Sequence, residues 1–243
     1  MLFSCAKEEQ KNYLKFSENI LDYTVTPKTK FDKSGLMFSD QGAWFAYSFP
    51  GSTNITGFSG PFLMTQQNGV WASQSLVNLE FDNVKWKSHS KNSYNSHLEQ
   101  TFTSESFELK QELVFSSGHT TIIKSTIKNI SKSNQQVHYH FKNEKLLADG
   151  LKFSSTKNRL RIRSSKSDAV GHLIFPENTK ISSNDSLYSS KKNRIYLNPN
   201  ETKEFTISQT FIFPEYSWEN EQKSLQNTSF DFVLEYRKKE KNS

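Results

Sequence analysis

The sequence has little cysteine and no long apolar run, and both deficits limit what the protein can be. Cys5 is the only cysteine among the 243 residues, so no disulfide can form within the chain. A transmembrane helix needs about 20 consecutive, mainly apolar residues, and no such run occurs here. We therefore expect no membrane-spanning helix and a fold stabilised by its hydrophobic core.

The common catalytic and cofactor-binding motifs are also missing. The sequence contains no Gly-x-Ser-x-Gly elbow for a nucleophilic serine and no glycine-rich phosphate loop. His138 and His140 alternate on one predicted strand, so they share a face, but the sequence places no third metal ligand beside them. We expect both to face solvent, and we predict neither a metal nor a cofactor.

The positive charge of the chain is modest and scattered. Lys and Arg exceed Asp and Glu by only six, which gives a net charge of +6. Arg159, Arg161 and Arg163 alternate along one predicted strand face, and a second basic cluster spans 237–239. No nucleic-acid-binding motif accompanies either cluster. We therefore predict a mildly basic, solvated surface and no nucleic-acid partner.

The first residues resemble the end of a bacterial lipoprotein signal. Leu2, Phe3 and Ser4 directly precede Cys5, and 6–10 resemble the Lys-then-acidic export tag of some surface lipoproteins. The basic and apolar part of a signal is missing, so we predict that the true coding start lies upstream. The prediction is a lipid anchor on Cys5 at the cell envelope, as the only membrane contact. The alternative is an ordinary cytoplasmic start with a chance cysteine.

Short segments with a period of two residues follow from about residue 62 to residue 213. In 106–117, for example, Phe107, Leu109, Leu113 and Phe115 share one face, as in a half-buried strand. The segment 70–81 ends with the same alternation, as a half-buried strand would. Many short strands at even spacing predict an all-β fold, a large antiparallel β-sandwich with a short C-terminal helix.

The last part of the sequence shows helical spacing instead of the two-residue period of the middle. Phe230, Val233 and Leu234 recur at helical spacing, and basic residues follow in the last turn. The predicted divisions are a lipoprotein-like tether over 1–30, a β-sandwich domain over 31–214, and a linker with a terminal helix over 215–243.

The stretch Phe38–Met64 has an unusual composition. It holds four of the nine glycines and two of the six prolines, together with two aromatic clusters. Asp40 is its only carboxylate, and no partner carboxylate for glycosidase chemistry lies near it in sequence. We interpret Asp40 as a hydrogen-bonding turn residue rather than a catalyst.

This stretch and the segment after it are similar to the amino-terminal domain of glycoside hydrolase family 63, in the branch of bacterial α-glucosidases and mannosylglycerate-hydrolase-like proteins. In that family a Phe-Asp-x-Gly-Ala-Trp segment leads through a proline to a Gly-Phe-x-Gly turn, and a strand containing Ala-Ser follows. The matching positions, with Ser39 displacing the aspartate, are Phe38, Asp40, Gly42, Ala43, Trp44, Pro50, Gly57, Phe58, Gly60, Ala72 and Ser73.

The resemblance implies a non-catalytic domain. In family 63 the sandwich packs against an (α/α)6 barrel, which carries the acid and base of an inverting α-glycosidase. No position here matches those catalytic carboxylates, so the resemblance implies a sandwich without its barrel. It also implies a barrel from the same or a neighbouring gene as partner, and an α-linked glycan as ligand. The alternatives are a stand-alone carbohydrate-binding surface lipoprotein and a complete small hydrolase.

The unusual stretch has two interpretations that the sequence leaves open. In the first, its glycines allow tight turns while its aromatic residues fill the core. In the second, some of its side chains reach a sugar cleft or the interface with the barrel. The candidate residues for the second are Asp40, Gln41, Gly42, Trp44, Phe58, Gly60 and Trp71.

Lipidation of Cys5 can be tested in the native cell. The protein expressed from its own locus should appear in the membrane fraction and carry a lipid mass on Cys5, because the thioether-linked lipid is the anchor. The Cys5→Ser variant should move to the soluble fraction. Recovery of an unmodified cysteine from wild-type cells would favour the cytoplasmic alternative.

Overall fold

The structure is a computed structural model that describes residues 19, 21–64 and 69–241. Cys5 and most of the predicted tether lie outside these residues. Within the described ranges the chain forms sixteen strands and two helices, and the strands pair antiparallel in three sheets. The predicted all-β sandwich with a C-terminal helix is confirmed.

Sheet A is the largest, with eight strands in the order β10-β11-β12-β16-β8-β7-β6-β5. Its strands are β5 (Ser88–Ser93), β6 (His97–Thr103), β7 (Phe107–Phe115), β8 (Thr120–Asn129), β10 (Leu151–Thr156), β11 (Arg159–Ser164), β12 (Val170–Ile174) and β16 (Thr202–Ile212).

Two smaller sheets form the opposite layer. Sheet B contains β4 (Asn78–Phe81), β9 (Gln135–Lys142), β13 (Ile181–Ser183), β14 (Tyr188–Ser190) and β15 (Asn193–Leu197). Sheet C contains β1 (Phe45–Ser48), β2 (Ser59–Leu63) and β3 (Val70–Trp71).

The main hydrophobic core lies between sheet A and the two smaller sheets. Alternation along β7 turns Leu109, Leu113 and Phe115 into this core, as predicted. Phe115 packs against Phe45 of sheet C, with ring centroids 5.4 Å apart. Burial of such side chains contributes roughly 1.5–3 kcal/mol each, so the alternating pattern is the main source of the fold's stability.

The alternating end of the segment 70–81 forms a strand, β4, as the sequence predicts. The start of the segment forms the separate short strand β3, and the backbone between the two strands bonds to several separate segments. The N–H of Ala72 donates to Pro61, and that of Gln74 donates to Lys145. The apolar pattern is similar to that of one strand, but the hydrogen-bond partners change along it.

Residues 21–30, inside the predicted tether, pack on the sandwich. The N–H of Val25 donates to the Phe49 carbonyl at 2.9 Å, and Val25 itself is buried. The N–H of Trp71 donates to the Lys30 carbonyl at 2.9 Å. This part of the chain therefore covers sheet C.

Two helices, α1 (Trp218–Gln226) and α2 (Phe230–Lys241), follow the last strand. The buried side of α2 holds Phe230, Val233 and Leu234, as its spacing predicts. They form a second, small core with Val114 and Ile122 on the outer face of sheet A. The terminal helix therefore covers the apolar part of that outer face.

Helix α1 lies where the sequence predicts only a linker. Ser217 caps it by accepting a hydrogen bond from the N–H of Asn220. None of its residues is buried, so it lacks the apolar stripe by which a helix is recognised in sequence. Neither helix of the described chain has the length and apolar character needed to cross a bilayer.

The packing of α2 predicts how much the Leu234 side chain contributes to the stability of the docked helix. Leu234→Ala should cost about 2 kcal/mol or more, because it leaves a cavity in the second core. Under native conditions, the rate of trypsin cleavage at 237–239 measures the population of molecules in which α2 has left the sandwich. That rate should then rise by roughly 30-fold. Phe232→Ala is the matched control, because Phe232 is 67% exposed on the same helix. Equal cleavage of both variants would contradict the prediction.

Candidate functional site

The unusual stretch begins with a tight turn beside the C-terminal helix. Phe38 and Tyr47 pair across it, and the N–H of Ala43 donates to the Asp40 carbonyl at 2.9 Å. Gln41 and Gly42 have φ values of 56° and 69°. Positive φ at both central residues is typical of the hairpin turns that match strand twist, which explains the glycine. The turn directs Asp40 and Gln41 towards α2.

Asp40 forms a buried ion pair with Arg237 of α2. Its carboxylate accepts a hydrogen bond from the guanidinium of Arg237 and another from Lys241 Nζ at 2.9 Å. The Asp40 and Arg237 side chains are only 7% and 3% exposed. When the Gln41 amide is oriented to satisfy its neighbours, its oxygen accepts from Arg237 Nε at 3.0 Å. Arg237 also pairs with Glu240.

The environment of Asp40 keeps it ionised. Burial by itself would raise its pKa, but hydrogen bonds from Arg237 and Lys241 outweigh burial and hold the pKa below its usual value. A general acid needs the opposite, a pKa raised towards neutrality. Asp40 therefore links the turn to α2, which agrees with its interpretation as a hydrogen-bonding turn residue.

The other candidates of the stretch lie apart from this ion pair. Phe58 and Trp71 are buried in the cores, and Trp71 Nε1 donates to the Asp32 carbonyl at 2.7 Å. Gly60 has a φ of +123°, where a side chain would be strained. These three positions build the sandwich and present no surface to a ligand. The structure thus does not bring the seven candidates into one site.

Trp44 is the candidate that reaches a cavity. Its ring is half-buried, packs on Phe213 with centroids 4.6 Å apart, and donates from Nε1 to the Phe211 carbonyl at 3.1 Å. It lines a cleft of about 370 Å³ between sheet C and the β10–β12 end of sheet A. The apolar walls also include Leu63, Val70, Leu76, Leu151 and Ile162.

The mouth of this cleft is polar. Lys30 and Asp149 form an ion pair there, and Arg163 and Lys166 also line it. Small-ligand sites combine apolar walls with a few polar groups that orient the ligand. The cleft therefore suits a ligand with one flat apolar face packed on Trp44 and polar groups at the mouth.

The two predicted strand histidines lie on the outer side of sheet B. Val137, Tyr139 and Phe141 are buried on the opposite side, as their alternation predicts. His138 and His140 are half-buried, and burial is the main cause of the lowered pKa of His140. Within the ranges that the structure covers, no third ligand completes a metal-sized group with them.

A cluster that sequence reasoning missed lies on the outer face of β6 and β7. Glu99 and Glu112 are direct cross-strand partners, and His97 lies close enough for all three to hold one ion. Lys110 Nζ already bridges the two carboxylates, at 2.8 Å from Glu99 and 3.0 Å from Glu112.

The charges in this cluster satisfy one another. Burial opposes ionisation of Glu99, yet Lys110 lowers its pKa, whereas burial lowers the pKa of His97 to about 4. Because the Lys110 ammonium lies between Glu99 and Glu112, the place where a cation would bind is already taken. The cross-strand pairing is a tertiary feature that has no signal in the sequence.

Comparison with known proteins identifies a shared fold. No family model and no curated protein matches this sequence. Among solved structures, the chain is similar to a putative kojibiose phosphorylase from the human microbiome, with a TM-score of 0.50 and 10% sequence identity. The match covers 87% of this chain but 33% of the phosphorylase, so the chain spans about a third of that protein's length.

Two further solved structures match with TM-scores below 0.5. A polysaccharide lyase matches with a TM-score of 0.44 and 7% identity, over 69% of this chain and 32% of that one. A putative aldose 1-epimerase from Escherichia coli K12 matches with a TM-score of 0.35 and 9% identity, over 81% and 83% of the two chains. The resemblance to glycoside hydrolase family 63 stays a prediction.

The ion pair between the turn and α2 predicts a pH-dependent docking of the helix. Asp40→Asn should reduce the stability of the docked helix by about 3 kcal/mol, because it leaves the Arg237 charge buried with a weaker partner. Glu235→Gln is the matched control, since Glu235 pairs with Lys238 at the surface of the same helix and is 61% exposed, and exposed pairs contribute about 0–1 kcal/mol.

The sign of the pH effect follows from the lowered pKa of Asp40. Its stabilisation should be complete above the unfolded value of 3.8 and disappear as pH falls through the lower folded value. Hydrogen exchange of the α2 amides measures this, and Asp40→Asn should lack that component. An unchanged pH profile in the variant would show that the pair does not hold the helix.

Proposed function

We propose that this chain is the non-catalytic β-sandwich domain of a carbohydrate-active enzyme of the family 63 type, an inverting α-glycosidase. It supports an (α/α)6 catalytic barrel that belongs to the same gene or to a neighbouring one. The similarity to the kojibiose phosphorylase supports this proposal, because the match takes most of this chain and only a third of a longer enzyme.

The observation that carries the proposal is the position of Asp40. Asp40 aligns with the family 63 motif and is the only carboxylate of the stretch. Both of its carboxylate oxygens accept hydrogen bonds from α2. Its lowered pKa suits a structural anion rather than a proton donor. The motif is then understood as the element that fixes the C-terminal helix on the sandwich.

The outer side of α2 is our candidate for the contact with the barrel. Phe232 and Tyr236 lie one turn apart on it and are 67% and 56% exposed. Adjacent exposed aromatic side chains are typical of protein interfaces. Because the Asp40 pair holds the helix in a fixed position, this aromatic ridge keeps a fixed orientation on the sandwich.

The cleft beside Trp44 supports a second candidate function, a stand-alone carbohydrate-binding protein. A half-buried indole next to the ion pair of Lys30 and Asp149 offers stacking and hydrogen bonding together. In either function, lipidation of Cys5 would place the protein at the cell envelope.

The accessory role predicts activity only in the presence of the barrel. We would sequence the DNA on both sides of the reading frame and co-express this chain with any (α/α)6 barrel encoded there. The chain alone should not hydrolyse p-nitrophenyl α-glucoside, whereas the pair should co-purify and turn it over.

Charged substitutions on the aromatic ridge test the interface. The double variant Phe232→Glu, Tyr236→Glu should reduce co-purification at least tenfold, and Tyr196→Glu, at a residue 62% exposed on β15, should not. Flanking DNA without a barrel would overturn the accessory role. Turnover by the chain alone, lost in Asp40→Ala, would show a complete hydrolase.

A further inference from the structure

Helix α1 creates a second cavity system on the outer face of sheet A. Its first residue, Trp218, stacks on His172 of β12 with ring centroids 4.0 Å apart and an interplanar angle of 5°. Depressions of about 730 and 390 Å³ lie beside Trp218, and both are lined by Arg161, His172 and Trp218. We call this combined surface the arginine groove, and it is separate from the cleft beside Trp44.

Two arginine side chains of the groove lack an acidic partner. Arg159 and Arg161 point outwards from β11, while Leu160 and Ile162 between and beside them are buried. No carboxylate in the described part of the chain forms an ion pair with either arginine, and Arg159 reaches only the side-chain oxygen of Gln222, at 3.5 Å. Both guanidinium groups are therefore available to bind a carboxylate through paired hydrogen bonds.

The electrostatic effect of these arginines is visible at the neighbouring histidine. Burial, together with the charges of Arg161 and Arg159, lowers the pKa of His172 to about 4. At neutral pH the imidazole is uncharged and serves as a flat support for Trp218. The fixed positive charge of the groove thus comes from its arginines.

The remaining polar groups favour a ligand rich in hydroxyl groups. Asp168 and Glu219 line the same depression as Arg161, and carboxylates accept hydrogen bonds from the hydroxyls of a sugar. Tyr216, which is 47% exposed, and Trp218 add aromatic surface to this depression. Aromatic faces with hydrogen-bonding groups around them suit sugar rings.

We propose that the arginine groove binds an acidic oligosaccharide. Arg159 and Arg161 hold the carboxylates of its sugar-acid units, Trp218 and Tyr216 pack on the rings, and the acidic side chains accept hydrogen bonds from the hydroxyls. This inference rests on the carbohydrate-related part of the proposed function, but not on the barrel.

Isothermal titration of the full chain with tetragalacturonate tests the proposal, with maltotetraose as the neutral probe. Tetragalacturonate should bind at least tenfold more tightly than maltotetraose, and the difference should shrink as NaCl rises, because salt screens the arginines. Arg161→Gln should weaken tetragalacturonate binding tenfold or more. Arg194→Gln, at an exposed arginine of β15 in sheet B, is the matched control and should leave affinity unchanged.

Three outcomes would overturn the proposal. The first is equal affinity for both oligosaccharides, and the second is unchanged affinity for tetragalacturonate in Arg161→Gln. The third is equally tight, competing binding of an eight-residue thymidine oligonucleotide, which would indicate a nucleic-acid surface. Because Arg161 is exposed, its substitution should leave the melting temperature unchanged, and Trp218→Phe provides a second, conservative probe of stacking. Failure of the barrel to associate through Phe232 and Tyr236 would leave this titration unaffected, so the two proposals fail separately.

Discussion

The charge of Arg237 must be neutralised where the C-terminal helix meets the sandwich, because its side chain is almost excluded from water. A buried, unpaired guanidinium would cost several kcal/mol. The carboxylate of Asp40 meets this need from a turn 197 residues earlier in the chain. The turn at Gln41 and Gly42, with positive φ at both residues, directs Asp40 towards this contact. The turn at the start of the unusual stretch thus has a physical explanation in a helix at the other end of the chain.

Covering the outer face of sheet A explains much of the remaining architecture. Its inner face is buried by sheets B and C, but Val114 and Ile122 would be exposed on the outer face without α2. Helix α1 packs differently, since none of its own residues is buried and it contacts the outer face through Trp218 on His172, Glu221 on Thr120 and Leu225 at the second core. The packing of α2 completes the second core, whereas the packing of α1 leaves a groove whose arginines have no ion-pair partner among the described residues.

Two polar clusters of this protein are held together by ion pairs. Lys110 satisfies Glu99 and Glu112 across two strands, and Asp40 satisfies Arg237 across the chain. Such pairs fix geometry and leave little free chemistry. Arg159 and Arg161 of β11 differ from these clusters, because no carboxylate in the described part of the chain forms an ion pair with them.

The sequence by itself determined the elements whose signal is local. Alternation predicted which side of β7 is buried, and helical spacing predicted the packed side of α2, because both periodicities follow directly from backbone geometry. It could not predict α1, which has no apolar stripe, or the hydrogen-bond partners of the backbone between β3 and β4, which lie in distant segments.

Only the tertiary structure decided what the unusual residues do. It paired Asp40 with Arg237, buried Trp71, and left Trp44 at a cleft. It also brought Trp218 to the arginines of β11, which the sequence had indicated only as part of a solvated surface. Such contacts join residues far apart in the chain, and their energies depend on burial and on partners that no local pattern encodes.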